Sequence, residues 1–296
     1  MTWALALSGT ATLTTMIRAL RTHWPEYLIE AVLLGFFMIS AGACTTLLLH
    51  PASPIARALP NPFLGRVLIG LAMGGTAAAL IHSPWGKRSG AHMNPSVTLA
   101  YLRLGKVKPW DAIFYVLAQF VGGFAGLALL ALIIGPQLAD PSVRYVLTLP
   151  GKDGQAIAFL AEFLISFLLF STVLWSSNTP GVARWTGIIA AILVTTYITL
   201  EAPFSGMSMN PARSFSSAMV AGLFDALWIY LTAPVLAMQL AAALFRSSDR
   251  IVYCAKLHHH NNARCIFNCA FGELAARENV SRRALVTIAA APAADA

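Results

Sequence analysis

The sequence predicts an all-α integral membrane protein with six transmembrane helices plus two re-entrant half-helices, arranged as an inverted internal repeat. Three observations carry that prediction. The chain is 57% hydrophobic and only 11% charged, with a mean hydropathy of +0.69, whereas a soluble domain carries about a quarter charged residues. The apolar residues gather in six stretches of the length that crosses ~30 Å of hydrocarbon. Finally, Ser89-Gly90-Ala91-His92-Met93-Asn94-Pro95-Ser96 recurs as Ser205-Gly206-Met207-Ser208-Met209-Asn210-Pro211-Ala212, with five of eight positions identical.

Taken in chain order, residues 1–25 read as a cytoplasmic N-terminal segment. Trp3 to Met16 is mildly apolar, but Arg18 and Arg21 follow it rather than precede it, which does not match a signal peptide. The first repeat occupies 26–136, with spans at 27–49, 63–81 and 112–134. Between its last two spans lies Asn94-Pro95-Ser96. Asparagine is a strong helix N-cap and proline suits the first helical position, so a helix starts here in a stretch too short to span. An extracytoplasmic loop covers 137–155. The second repeat, 156–246, has spans at 156–175, 185–200 and 223–244, with Asn210-Pro211-Ala212 between the last two. Trp228 and Tyr230 read as interface anchors of the sixth span. Residues 247–296 form a cytoplasmic tail whose Ala-rich end, after Arg283, has the composition of a disordered segment.

Three spans per repeat is an odd number, so the second half must be inverted relative to the first. Lys and Arg concentrate on the cytoplasmic side of membrane proteins. With both termini inside, they divide 15 inside to 5 outside, and 10 to 5 without the tail beyond Arg250. The expected location is therefore the cell membrane, with both termini cytoplasmic.

Glu30 and Glu162 fall at matching places in the first and fourth spans. An intramembrane carboxylate is costly unless satisfied, and the backbone N–H groups of the non-helical chain leading into each half-helix are natural partners. A proton-coupling role in a secondary transporter is the alternative, which the matched duplication disfavours. Gly70 with Gly74, and Gly122 with Gly126, have the spacing of close helix packing.

Spans, inversion and the two motifs, the second extended as Asn-Pro-Ala-Arg-Ser, together resemble the major intrinsic protein family of aquaporins and glycerol facilitators. The resemblance covers about Pro25 to Phe245, and Gln119 resembles the polar residue that family places in its third span. It implies an aquaporin-like fold in which Asn94, Pro95, Ser96, Asn210, Pro211 and Ala212 form the pore centre. The two asparagine amides would donate to a permeating oxygen, and the positive ends of both half-helices would oppose cations and protons. Arg213 takes the constriction role, and matching the motif places Met207, Ile198 and Ile69 beside it. That set has no histidine, unlike the best-known water-selective pattern. Ser214, Ala218 and Tyr230 resemble the water-channel side, and Leu231 resembles the glycerol side. The implied function is a passive water channel excluding protons and ions; a channel for small neutral solutes such as glycerol or urea stays open. A homotetramer with one pore per protomer is also implied.

Ser96 replaces the usual alanine, and its hydroxyl is expected to find a backbone partner. His92 is expected to buttress its loop by hydrogen bonding rather than to gate. In the tail, Cys254, His258, Cys265 and Cys269 are weak candidate metal ligands by residue type. Their spacing fits no standard zinc module, so incidental thiols and imidazoles are the expectation, with no cofactor. Three tail cysteines leave one unpaired in any tail pairing, which suits a reducing compartment. The scattered basic residues follow membrane topology, giving no reason for a nucleic-acid partner. No nucleophile–base constellation points to an enzyme.

Overall fold

Proline and asparagine set where several helices begin. A proline at the first helical position loses no hydrogen bond, because that N–H has no intrahelical partner. A computed structural model describes residues 9–59, 61–248, 250–259 and 264–276. The first half contains α1 (Gly9–Leu49), α2 (Pro62–His82), the half-helix α3 (Pro95–Arg103) and α4 (Pro109–Ile134). The second contains α5 (Gly154–Ser177), α6 (Thr186–Leu200), the half-helix α7 (Pro211–Ala221) and α8 (Leu227–Ser247). Among the described residues, six helices have the length and apolar composition to cross a membrane, and no strand occurs.

Two boundaries differ from expectation. The helix carrying the first span begins at Gly9 and runs through Pro25 rather than starting near residue 27. Leu13, Met16, Ala19 and Leu20 are good helix formers, and nothing between them stops the helix. The sixth span starts at Leu227, because Gly222 in the left-handed conformation ends α7 and Ala226 (φ 53°) turns the chain first. The composition-based disorder after Arg283 lies outside the described residues.

Glycines let the long helices approach closely. A Cβ on Gly122 would run into the Ala31 carbonyl of α1, and one on Gly126 into the Gly35 carbonyl. At the α2–α6 contact a Cβ on Gly70 would lie 2.7 Å from the Thr195 carbonyl oxygen, and the Thr195 hydroxyl donates to the Gly70 carbonyl at 3.0 Å. Outward, Val121, Leu132, Ile133 and Leu160 are exposed apolar residues, as expected where lipid is the solvent. Tyr230 differs from its expected interface position: it is fully buried and its hydroxyl donates to the Ser205 carbonyl at 2.6 Å. Trp228 is exposed as an interface anchor requires.

The tail does not hang free. Residues 250–259 and 264–276 lie back across one end of the bundle, with Tyr253, Cys254, Ala255, Leu257 and Phe267 buried. Asn178 accepts from the Tyr253 N–H at 2.6 Å, the Leu257 N–H donates to the Gly90 carbonyl at 3.1 Å, and the Asn268 N–H donates to the Lys106 carbonyl at 2.9 Å. This is the tail side of the molecule; the opposite end is the far side.

Candidate pore

The half-helices meet tip to tip at their asparagine caps. Asn94 Oδ1 accepts from the Ser96 N–H at 2.8 Å, and Asn210 Oδ1 accepts from the Ala212 and Arg213 N–H groups at 3.1 and 3.3 Å. Each amide nitrogen then reaches across. Asn94 Nδ2 donates to the Met209 carbonyl at 2.7 Å, and Asn210 Nδ2 donates to the Met93 carbonyl at 2.7 Å. Capping and cross-bonding therefore use different atoms of the same side chain.

The chain leading into each tip is non-helical and held by one carboxylate. Glu30 Oε1 accepts from the Ser89 hydroxyl (2.7 Å) and the His92 N–H (3.0 Å); its Oε2 accepts from the Met93 N–H (2.7 Å) and Gln119 Nε2 (2.9 Å). Glu162 accepts from the Ser205 hydroxyl (2.8 Å), the Ser208 N–H (2.6 Å) and the Met209 N–H (2.7 Å). Both carboxylates are completely buried. In each loop alternate residues take the left-handed region, Ala91 and Met93 in one and Met207 and Met209 in the other. Non-glycine residues persist there only when the surroundings over-determine them, and the carboxylate bonds supply that constraint.

A continuous cavity of about 470 Å³ runs past these loops and is lined by Asn94 and Asn210. Ile69, Ile198, Met207 and Arg213, expected from four separate elements, all line it. Arg213 Nη1 donates to the Val146 carbonyl at 2.6 Å, and the Ser217 hydroxyl donates to the same oxygen at 3.2 Å. That carbonyl is presented by Arg144, Tyr145 and Val146, three successive residues with φ of 47°, 51° and 50°. Thr45, Arg66, Ser142 and Arg144 also line the cavity towards its far mouth.

The remaining sequence candidates are placed as follows. Gln119 bridges Glu30 and the Thr98 hydroxyl (3.1 Å). The imidazole of His92 is buried, with Nδ1 at 3.0 Å from Thr98 Oγ1 and Nε2 at 2.8 Å from the Ala255 carbonyl. It joins α3 to the tail. The Ser96 hydroxyl, expected to find a backbone partner, has none among the described residues and is fully buried. In the tail, Cys254, Cys265 and Cys269 come together, but the imidazole that joins them is His259. His258 instead sets its ring 4.6 Å from that of His82. Hydrogen bonding from Cys254 draws the thiols of Cys265 and Cys269 down from their ordinary range and raises that of Cys254 itself.

Several groups were not foreseen. Glu201 shares the Ser205 hydroxyl with Glu162. Tyr115 donates to the Ser89 carbonyl at 2.8 Å as Tyr230 does to Ser205; aligning the two repeats beyond the motif would have found this pair. Leu257 of the tail lines the cavity at its tail-side mouth.

Residues 19–245 match the family profile described as Major intrinsic protein. Aquaporin NIP1-2 of Arabidopsis thaliana is 31% identical over 71% of this chain and 69% of its own length. Probable aquaporin NIP7-1 of the same plant is 28% identical over 75% and 77%. A probable NIP-type aquaporin of Nicotiana alata is 33% identical over 55% of this chain and 60% of its own length. Among solved structures, the aquaglyceroporin from Plasmodium falciparum superposes with a TM-score of 0.63 at 16% identity, covering 76% of this chain and 96% of that one.

Proposed function

The chain belongs to the major intrinsic protein family of membrane channels, and on that premise we propose that it conducts water passively while excluding protons and ions. The observation that carries the reading is the pair of crossed asparagine amides. Each Nδ2 uses one hydrogen on the opposite loop, which leaves the other for the oxygen of a permeant. A water held by both asparagines has its lone pairs committed there and is not free to relay a proton along the file. The N-terminal ends of α3 and α7 carry partial positive charge and converge on the same point, so a cation meets repulsion where its hydration is thinnest.

At the far mouth Arg213 supplies a fixed positive charge and forked donors. Held by the Val146 carbonyl, it keeps one orientation without a matching carboxylate in the pore. Ile69, Ile198 and Met207 offer no hydrogen bonds to replace water lost from a solute. This apolar wall favours the second reading, a channel that also passes small neutral solutes such as glycerol or urea. Coupled transport has less support: four donors surround Glu30 and three surround Glu162, all from the protein. Both carboxylates hold loops in place, and neither is among the residues that line the cavity.

The protein is proposed to work as a homotetramer with one pore per protomer, in the cell membrane, with its tail side cytoplasmic. Stopped-flow shrinkage of vesicles carrying the purified protein tests the main reading. Water flux well above bare lipid and indifferent to a pH gradient is expected. Flux no greater than lipid overturns the channel, and flux that follows the pH gradient overturns passivity. Parallel glycerol and urea gradients decide between the two solute readings.

A further inference from the structure

Four soft or borderline ligand atoms meet in the tail. Cys254 and Cys265 Sγ are 3.6 Å apart, Cys269 Sγ and His259 Nε2 are 3.2 Å apart, and all four lie within 4.8 Å of one another. Tetrahedral zinc with Zn–S bonds of ~2.3 Å and a Zn–N bond of ~2.0 Å puts ligand atoms ~3.5–3.8 Å apart. The observed spacings bracket those edges. Three thiolates and one imidazole are a closed structural set, with no position left for water.

The surroundings are also those of a metal site. The Phe271 N–H donates to Cys269 Sγ at 3.5 Å, and the Phe267 N–H donates to Cys265. Such N–H···S bonds from two residues onward orient thiolate ligands and offset their charge. The His259 ring stacks on Phe271 at 4.0 Å and 12°, which fixes the direction of its Nε2. Zinc with three thiolates carries a net charge of −1, and the ammonium of Lys256 interacts with all three thiols. That ammonium is itself held by the Lys87 and Arg264 carbonyls at 2.8 and 2.7 Å.

We propose that Cys254, His259, Cys265 and Cys269 bind one zinc ion, which fastens the tail across the tail-side mouth of the pore with Leu257 in the permeation path. The ion joins two arms, one bringing Cys254 and His259 and the other Cys265 and Cys269. Leu257 stands between the first two ligands and lines the cavity. Its N–H on the Gly90 carbonyl (3.1 Å) and the Ala255 carbonyl on His92 (2.8 Å) tie this arm to the loop that carries Asn94. Without the ion the arm keeps these bonds and those of Tyr253 to Asn178 and Lys256 to the Lys87 carbonyl but loses its tie to the second arm, and the mouth widens. The effect on flux rests on the channel reading above; the metal site does not.

The test uses the full chain, purified from zinc-supplemented cells with a tag that lacks histidine. Elemental analysis should give about one zinc per chain, lost in Cys265→Ser and in Cys269→Ser and kept in His258→Ala. Less than about a tenth of an equivalent in the wild type overturns the site. So does a stoichiometry that survives both cysteine changes but falls in His258→Ala, since the histidine run alone would then hold the metal. Oxidised tail thiols with no metal also overturn it. A wild-type experiment covers the case of misfolded variants: stripping zinc from vesicle-embedded protein with a strong chelator should raise water flux severalfold, reversed by added zinc. Unchanged flux after verified zinc loss overturns the plug. Flux at the bare-lipid level in both states, with zinc bound, instead overturns the channel reading and leaves the site standing.

Discussion

The two loops that enter the pore centre share a scaffold and differ in what they hang on it. In both, a serine carbonyl is held by a buried tyrosine, the same serine's hydroxyl bonds a span carboxylate, and two residues lie in the left-handed region. In both, the asparagine caps its own half-helix and bonds the other loop. Besides Ser96 opposite Ala212, three differences stand out. Ala91 faces Met207 in the repeat alignment, His92 faces Ser208, and Val97 faces Arg213. Val97 and Arg213 both line the cavity. On the proposed channel reading, the duplicated part builds the centre of the pore, and the divergent part gives each mouth its own character: a cationic filter on the far side, and a histidine tied to the tail on the other.

Breaking the shared scaffold should have the largest effect. Glu30→Ala leaves two backbone N–H groups, a hydroxyl and the Gln119 amide without their acceptor, at about 1–3 kcal/mol each. Glu162→Ala strands three donors, and Glu201 remains beside one of them, the Ser205 hydroxyl. Both variants should melt far below the wild type in detergent, Glu30→Ala the lower of the two. Monodispersity on gel filtration and a thermal melt give the ranking. The reverse order would show that the two loops are not stabilised alike.

Next comes the filter. Arg213→Val gives the far-side loop the residue that its counterpart already has at position 97. With the fixed charge and its bond to the Val146 carbonyl gone, glycerol and urea should pass about fivefold to tenfold faster, a barrier lower by about 1–1.4 kcal/mol. Swelling of vesicles in isotonic solute measures this. Unaltered selectivity would place the constriction elsewhere.

How much of this the sequence showed depended on whether a feature had a repeated or periodic signature. The six spans were legible because a membrane demands ~20 apolar residues. The asparagine pair, Glu30 and Glu162 were legible because each occurs twice. Ile69, Ile198, Met207 and Arg213 needed the family resemblance to be read as one set, since they come from four separate elements and share no local pattern. The Val146 carbonyl was invisible, because any residue carries such an oxygen and only the three-residue left-handed turn aims it. The tail was less legible for a related reason. Its cysteine and histidine spacing follows no module, and its packing over the cavity depends on loops far away in the chain. His258 and His259 are neighbours that only the fold could separate.

Equalising the loops at their second divergent position should have a moderate effect. His92→Ser copies Ser208, which bonds the Asn210 carbonyl and the Ser214 hydroxyl within its own loop. The variant loses the bond to the Ala255 carbonyl and the stack on Phe267, whose ring lies 5.4 Å away at 9°. About 1–2 kcal/mol should be lost, concentrated where the tail meets the loop. Hydrogen exchange of the Ala255 and Leu257 amides should speed up, while that of α7 stays unchanged. Equal loosening of both loops would mean that His92 supports the centre rather than the tail.

The smallest effect should come from Ser96→Ala, which makes the first motif identical to Asn210-Pro211-Ala212. In α3 the Ser96 side chain is fully buried and its hydroxyl has no partner among the described residues. A buried, unsatisfied hydroxyl costs about 1 kcal/mol or more, while a methyl in the same space needs no partner. The backbone N–H of residue 96, which Asn94 caps, is untouched by the change. The alanine variant should therefore melt at the same temperature or slightly higher, with water flux unaltered. A lower melting temperature would show that the hydroxyl holds a water within the protein, making position 96 a fourth real divergence between the loops.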